Sequence, residues 1–526
     1  MKFTSLLVTL AIGALAFAAP NDGDELSNMG GSSKDGRTPL RQLVGKPTPE
    51  QTIFFNQVEN GENEKALFQF IPAFGRSEMG KTSNGKALQA LLSFKAGLQL
   101  SGLDQVLAIP DPGSVSPVLI KMWKEAAPPT HEVWNHYWTS NWNSRWSSVF
   151  GANQEIRVVA RNLNGFQDSA KISALISRAQ PGTVERNLLQ WQLILGQSLK
   201  DTAGAGKALA TLMKQPNPAV GMDLMNITAA RMLYENGYLD AAIKYYDKVP
   251  SGSDYWFEAQ EEKAWSYLRK GQSQDAIAIT QALNHSSVVW LSGPEASFLR
   301  SLAQLKVCDY KGVVKTLENF KDNFKERTAA LVKVSKDANT PEVMELIQQR
   351  GQGRIEYAKM GSNIKKLPRW AIRDAAFGNM GAFYGGLSHE ANLAGDLYVR
   401  SLSQGSDRVG FQANSERMKQ AIEQRAAGVK SAMIQRVQAL AKEEVEETSE
   451  ILSKLQIVEA EMIQQSTVLE KMAGRNSGKG EPQVMKGKNK ANNKYQIQFP
   501  DSEEVWFDEL ASYNVDIKGG CEGVKR

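Results

Sequence analysis

Cysteine is nearly missing, with only Cys308 and Cys521 in 526 residues. A chain of this length buries a large core without covalent staples, so no disulfide framework is needed to organise the fold. Histidine is also scarce, at four residues. In His131-Glu132-Val133-Trp134-Asn135-His136 two of them stand five apart, and His285 and His389 are distant in sequence. A zinc-protease helix needs histidines four apart on one face, whereas five apart they diverge by about 140°. No metal ligand and no cofactor is expected. An excess of one charge is absent too: a net +5 over the whole chain, with no basic stripe interleaved with aromatics, gives no nucleic-acid surface. After the first twenty residues no apolar run approaches the ~18 residues that cross a bilayer, so no anchor is expected after signal cleavage. Neither a Gly-x-Ser-x-Gly elbow nor a Cys/His pair suited to a nucleophile occurs, and a non-catalytic protein is expected.

The first residues are of another kind. Lys2 gives a short positive start, Leu6 to Phe17 form an apolar stretch, and Ala16-Phe17-Ala18 is a small-x-small cleavage signature. The residues after Ala19 are polar and rich in Gly, Ser and Asp, and cannot continue a helix. A signal peptide over 1–18, a disordered linker over 19–50 and a periplasmic or secreted protein follow as expectations. Export permits a Cys308–Cys521 disulfide, although a buried Cys308 with a free Cys521 fits equally well.

Self-similarity is the strongest signal. Ala230 and Ala264, Gly237 and Gly271, and Ala242 and Ala276 are each separated by 34 residues, and Tyr246 and Tyr267 fall in the same segments. One interval earlier, Gly196, Ala208 and Leu212 take the places of Ala230, Ala242 and Tyr246. One interval later the match needs about three extra residues, with Cys308 at the Gly place and Val313 at the Ala place. Each unit reads as two antiparallel helices with small residues where the backbones approach and Gly237 and Gly271 in the turns. These segments resemble tetratricopeptide repeats over 186–322, without that family's usual bulky opening residue and with the terminal proline shifted to Pro216 and Pro250. The resemblance implies an all-α superhelix of helix pairs whose concave face binds peptides or partner domains.

Around the repeats lie a divergent helical region over 51–185, in which Lys86 to Leu100 has helical periodicity, and a further helical region over 323–410. From 411 to 472 apolar residues recur at three- and four-residue steps, from Ile422 through Leu440 to Met462, interrupted by Glu443-Glu444-Val445-Glu446-Glu447. One or two long helices, packed back on the array, are expected there. A flexible basic linker covers 473–494. In the C-terminal docking segment over 495–526, Tyr495 to Phe499 alternates like a strand, and Trp506-Phe507-Asp508-Glu509-Leu510-Ala511-Ser512-Tyr513 resembles endings of exported repeat proteins of envelope machines.

Two motifs compete with a scaffold reading. Gly75-Arg76-Ser77-Glu78-Met79-Gly80-Lys81-Thr82 fits the phosphate-cradle pattern and would mark a nucleotide-binding enzyme. A phosphate loop needs a strand before it and a helix starting at Gly-Lys-Thr. Here the upstream Phe68-Gln69-Phe70-Ile71-Pro72 is a candidate strand broken by proline, and Ser83-Asn84-Gly85 delays the helical pattern to Lys86, so an ordinary loop is expected. Trp134, Trp138, Trp142 and Trp146 recur every four residues beside Tyr137. Such a stripe locks a helix against its neighbours, or forms a stacking face for peptidoglycan. With Trp506 and Tyr513, these tryptophans are the candidate partner-binding residues of a scaffold for envelope proteins in motility, secretion or outer-membrane assembly.

Overall fold

The computed structural model describes residues 40–75, 77–126, 152–161, 168–215, 219–353, 355, 360–402, 408–475, 497–498 and 513–514. The described chain is all-α apart from two two-residue strands. Helix α1, Pro49–Glu59, opens on a Thr48 and Gln51 capping box with proline in its first turn. It is followed by α2 (Asn63–Phe74), α3 (Glu78–Lys81), α4 (Ser83–Lys95), α5 (Gln99–Leu107) and α6 (Pro117–Ala126). These share a core built on Phe54, Phe55, Phe70 and Phe74 with Leu91 and Trp123. Phe54 and Phe74 meet edge to face at 5.0 Å, the arrangement their ring quadrupoles favour.

Helices α7 (Ala152–Arg161) and α8 (Ser169–Arg178) come next. The array then runs as α9 (Val184–Ser198), α10 (Thr202–Leu212), α11 (Met222–Glu235), α12 (Leu239–Tyr246), α13 (Trp256–Arg269), α14 (Ser273–Leu283), the one-turn α15 (Val289–Ser292), α16 (Glu295–Lys306) and α17 (Tyr310–Lys336). From α9 to α17, α15 aside, each helix packs on the next. Ala230, Ala242, Ala264, Ala276 and Tyr246 have no exposed surface, Leu212 has 2%, and Gly196 is buried. Ala208 and Tyr267 are half-buried against the same core. Gly237 and Gly271 turn the chain at φ +80° and +78°, and Cys308 holds the equivalent turn at φ +59°. Cys308 is disulfide-bonded.

A Cβ at Gly271 would meet nothing within 4 Å, so only the backbone conformation demands glycine there. Gly271→Ala is therefore expected to lower the unfolding free energy by about 1–2 kcal/mol, measured by urea denaturation, and Gly237→Ala by a similar amount.

The array core also takes in Ile156 and Ala160 of α7 and Ile172 and Leu175 of α8. Helix α17 runs through 322 without interruption. Residues 68–72 are helical within α2, with Pro72 in its last turn, because Phe70 and Phe74 are drawn onto Phe54. The periodicity from Lys86 to Leu100 is two helices, parted at Gly97, which has φ +84°.

After α17 come α18 (Pro341–Gly351), 3-10 turns at Gly361–Lys366 and Arg369–Ile372, α19 (Ala375–Leu402) and α20 (Arg408–Arg475). The 68 residues of α20 form one helix, about 100 Å long at 1.5 Å per residue. Its first half packs on α19, and Ile451, Leu455, Val458 and Met462 pack on Val313, Leu317, Phe320 and Phe324 of α17. The α19 helix also reaches the N-terminal helices. The buried Glu390 carboxylate accepts hydrogen bonds from the Leu100 and Ser101 amides, placing an anion on the N-terminus of α5. No described helix is long and apolar enough to cross a membrane.

Candidate functional site

The chemistry of the array concentrates on one face of α13. Glu258, Glu261, Glu262 and Trp265 stand at i, i+3, i+4 and i+7, which brings them to one side of a helix. Glu262 is buried and takes Arg231 of α11 in a forked pair, with Arg231 Nε 2.9 Å from both carboxylate oxygens and Nη2 2.5 Å from Oε1. The Arg231 and Glu262 side chains are 2% and 7% exposed, so the pair joins two neighbouring units out of contact with water. The Tyr246 hydroxyl lies beside it, and burial, followed by Glu262, pushes its pKa well up.

The other two glutamates face a segment from outside the array. Arg373 Nη1 donates to both Glu258 oxygens at 2.8 Å, with its guanidinium over the Phe257 ring. Arg369, in the same segment, is seated against Gly293, where a Cβ would fall 2.6 Å from the guanidinium carbon. Gly293 has φ +92°, so this position needs glycine twice over. Arg369 stacks on Trp370, donates from Nη2 to Glu447 Oε1 at 2.7 Å and from its amide to Glu444 Oε2 at 2.8 Å. Glu444 is also held by Arg327 of α17, whose Nη2 and Nη1 donate onward to the Leu367 and Lys365 carbonyls. The acidic run that breaks the apolar stripe of α20 thus faces arginines of α17 and of the 3-10 turn. Together these residues form an ionic junction joining the array, the 367–374 segment and the long helix.

Carboxyls crowd the array side of this junction. Trp265 Nε1 donates to Glu295 Oε1 at 2.9 Å, and Glu295 lies beside Glu261. Burial, then Glu295, with Glu447 and Glu258 adding to them, raise the Glu261 carboxyl well above its ordinary range against the opposing pull of Arg369. Burial raises Glu295 as well, against the Trp265 hydrogen bond. A carboxyl raised on folding binds a proton that the unfolded chain releases. Its stabilising contribution is therefore complete below the unfolded value near 4.5 and is lost as pH rises through the folded value. Glu261→Gln is expected to raise the melting temperature more at pH 8 than at pH 5. A gain independent of pH would contradict a protonated Glu261.

The phosphate-cradle motif closes as two successive helix caps. Gly75 ends α2, the Ser77 hydroxyl accepts from the Gly80 amide at 3.2 Å, and the Thr82 hydroxyl accepts from the Gly85 amide at 3.2 Å. The expected delay of the helix to Lys86 does not occur, since α4 starts at Ser83. Gly85 is buried there, and a Cβ would collide with the Met79 carbonyl and Gly80. The element before the motif is a helix, and Lys81 pairs with Glu78 at 3.0 Å.

Among the sequence candidates, Ala208, Leu212, Ala230, Ala242, Tyr246, Ala264, Tyr267 and Ala276 come together in the array core, Gly196 is buried in α9, Gly237 and Gly271 sit in exposed turns, and Tyr513 lies in a strand that packs on α14. Trp134, Trp138, Trp142, Trp146, Trp506 and Cys521 lie outside the described residues, as do His131 and His136. Among the described residues no group of three or more His, Cys, Asp or Glu side chains could hold a metal ion. The glutamates and arginines of the junction carried no signal in the sequence, because their partners are far apart along the chain. No family model, curated protein or solved structure matches the chain.

Proposed function

We propose that this chain is an exported, non-catalytic scaffold whose repeats form a tetratricopeptide-like superhelix that holds partner proteins of the cell envelope. The observation that carries the reading is the periodicity of the packing. Small residues 34 apart, Ala230 with Ala264 and Ala242 with Ala276, have no exposed surface, and the turns between paired helices share a positive φ at Gly237, Gly271 and Cys308. Helix pairs stacked in this way present a long surface rather than a pocket. The α20 helix, tied along α17 and α19, stiffens that surface as a strut. Lys2 with the apolar Leu6 to Phe17 supports export, and the disulfide at Cys308 suits an oxidising compartment.

The reading is tested by cross-linking intact cells that carry the tagged full chain and mapping the linked residues by mass spectrometry. The scaffold reading expects links to a small set of envelope proteins, with the sites on this chain clustered within 186–322. Recovery of peptidoglycan without protein partners, or a nucleotide-induced rise in melting temperature, would overturn it.

A further inference from the structure

The repeats supply an internal standard against which one helix stands out. Ala278 and Ala282 of α14 take the places held by Lys244 and Lys248 in the preceding pair and by Ala210 and Lys214 in the pair before that. All four of those earlier residues are exposed, whereas Ala278 and Ala282 are 4% and 1% exposed. Four residues apart, they line one side of α14, roughly opposite Ala276. The α14 helix therefore lacks the solvated lysine face of its predecessor, and that side is covered.

Ala282 also touches the array core, and two further observations point to what meets the remainder of this side. Strand β2 (Tyr513–Asn514) packs on α14, and it pairs in parallel with β1 (Ile497–Gln498), Ile497 opposite Tyr513 and Gln498 opposite Asn514. Side chains no larger than alanine let a strand backbone approach a helix closely. Separately, Cys308 ends α16, the array neighbour of α14, and is disulfide-bonded. The chain's other cysteine, Cys521, is outside the described residues and stands seven positions after Asn514, a span of up to about 25 Å when extended.

We propose that the Ala278 and Ala282 side of α14 is an internal docking site for the chain's own C-terminal segment, latched to the array by a Cys308–Cys521 disulfide. The latch holds the segment at the end of the third helix pair, so that this side of α14 is withheld from partners while the bond is intact. A dithiol releases it: the protein disulfide takes up two electrons and two protons to give two thiols, and the dithiol closes to its own disulfide.

The test is hydrogen exchange on the full oxidised chain, with peptide mapping without reductant. A Cys308–Cys521 linked peptide and slow exchange over 497–514 and 273–283 are expected. Ala278→Lys with Ala282→Lys, which restores the lysines of the preceding pair, should speed exchange over 497–514 about tenfold and leave Met222–Tyr246 unchanged. Free thiols, a Cys308–Cys308 link between two copies, or unchanged exchange over 497–514 would overturn the proposal. If the double variant loses protection over Met222–Tyr246 as well, Cys521→Ser decides. A Cys308 thiol open to maleimide and faster exchange over 497–514 support the latch, while an oxidised Cys308 or unaltered exchange refutes it.

Discussion

Arg231→Leu is expected to cost about 3–5 kcal/mol of unfolding free energy, the range for removing one partner of a buried ion pair. The change removes all three hydrogen bonds that Arg231 gives to Glu262 and leaves a carboxylate in a side chain only 7% exposed. Desolvation of the abandoned charge, rather than the loss of attraction, sets that magnitude. The repeat supplies a compensating change. The position of Glu262 is Thr228 one unit earlier and Ile194 two units earlier, both 3% exposed. A pair built as Arg231→Leu with Glu262→Ile takes its isoleucine from the first unit and should recover most of the loss, since an apolar pair of fitting volume avoids the desolvation altogether. Urea denaturation of the two single variants and the double variant measures the coupling directly. A loss below about 1 kcal/mol for Arg231→Leu would place the pair among solvated surface bridges.

What the sequence made legible is what leaves a residue-type signature at a fixed interval. A turn with positive φ selects glycine, so Gly237 and Gly271 marked the second and third pairs, and the interval lengthened by about three residues located Cys308 in the fourth. Close approach of two helices selects small residues, so Ala230, Ala242, Ala264 and Ala276 were visible as well. Charge pairing leaves no such period. The run from Glu443 to Glu447 reads as a break in an apolar stripe, because Arg327 lies 117 residues from Glu444 and Arg369 lies 78 from Glu447. The face of α13 was equally silent, since three glutamates at helical spacing look like a solvated surface until Arg231, Arg369 and Arg373 are brought to them. Local signals also misled where tertiary contact overrides them. Gly85 resembles a helix breaker, yet it is a glycine because α4 packs against the backbone of Met79 and Gly80. Nothing in the lysine-free side of α14 pointed to a docked segment until the units were compared position by position.

The second large effect belongs to Arg327, where the array meets the long helix. Its Nε and Nη2 reach Glu444 Oε1 at 2.9 and 2.6 Å, and its remaining donors reach the Lys365 and Leu367 carbonyls at 2.7 and 3.0 Å. The Glu444 side chain is 1% exposed. Arg327→Met should cost about 3 kcal/mol, the low end of the range for a broken buried pair, because the Arg369 amide continues to hold Glu444 Oε2 at 2.8 Å. Adding Glu444→Leu should recover less than the corresponding double change at Arg231. The Arg369 amide then loses its carboxylate acceptor and the guanidinium a charge partner, and the two carbonyls still lack their donor. The two junctions therefore differ in kind. Arg231 and Glu262 form an isolated pair that an apolar pair can replace, whereas Arg327, Glu444, Arg369 and Glu447 form a network in which each member also orients the 367–374 segment. Urea melts followed through the fluorescence of Trp290 and Trp370, which pack in the core between α18 and α20, should show this contrast as strong rescue by the double variant at the first site and weak rescue at the second. Equal rescue at both would mean that Glu444 does no more than pair with Arg327, and the junction would then be a single bridge rather than the link that fastens the long helix to the array.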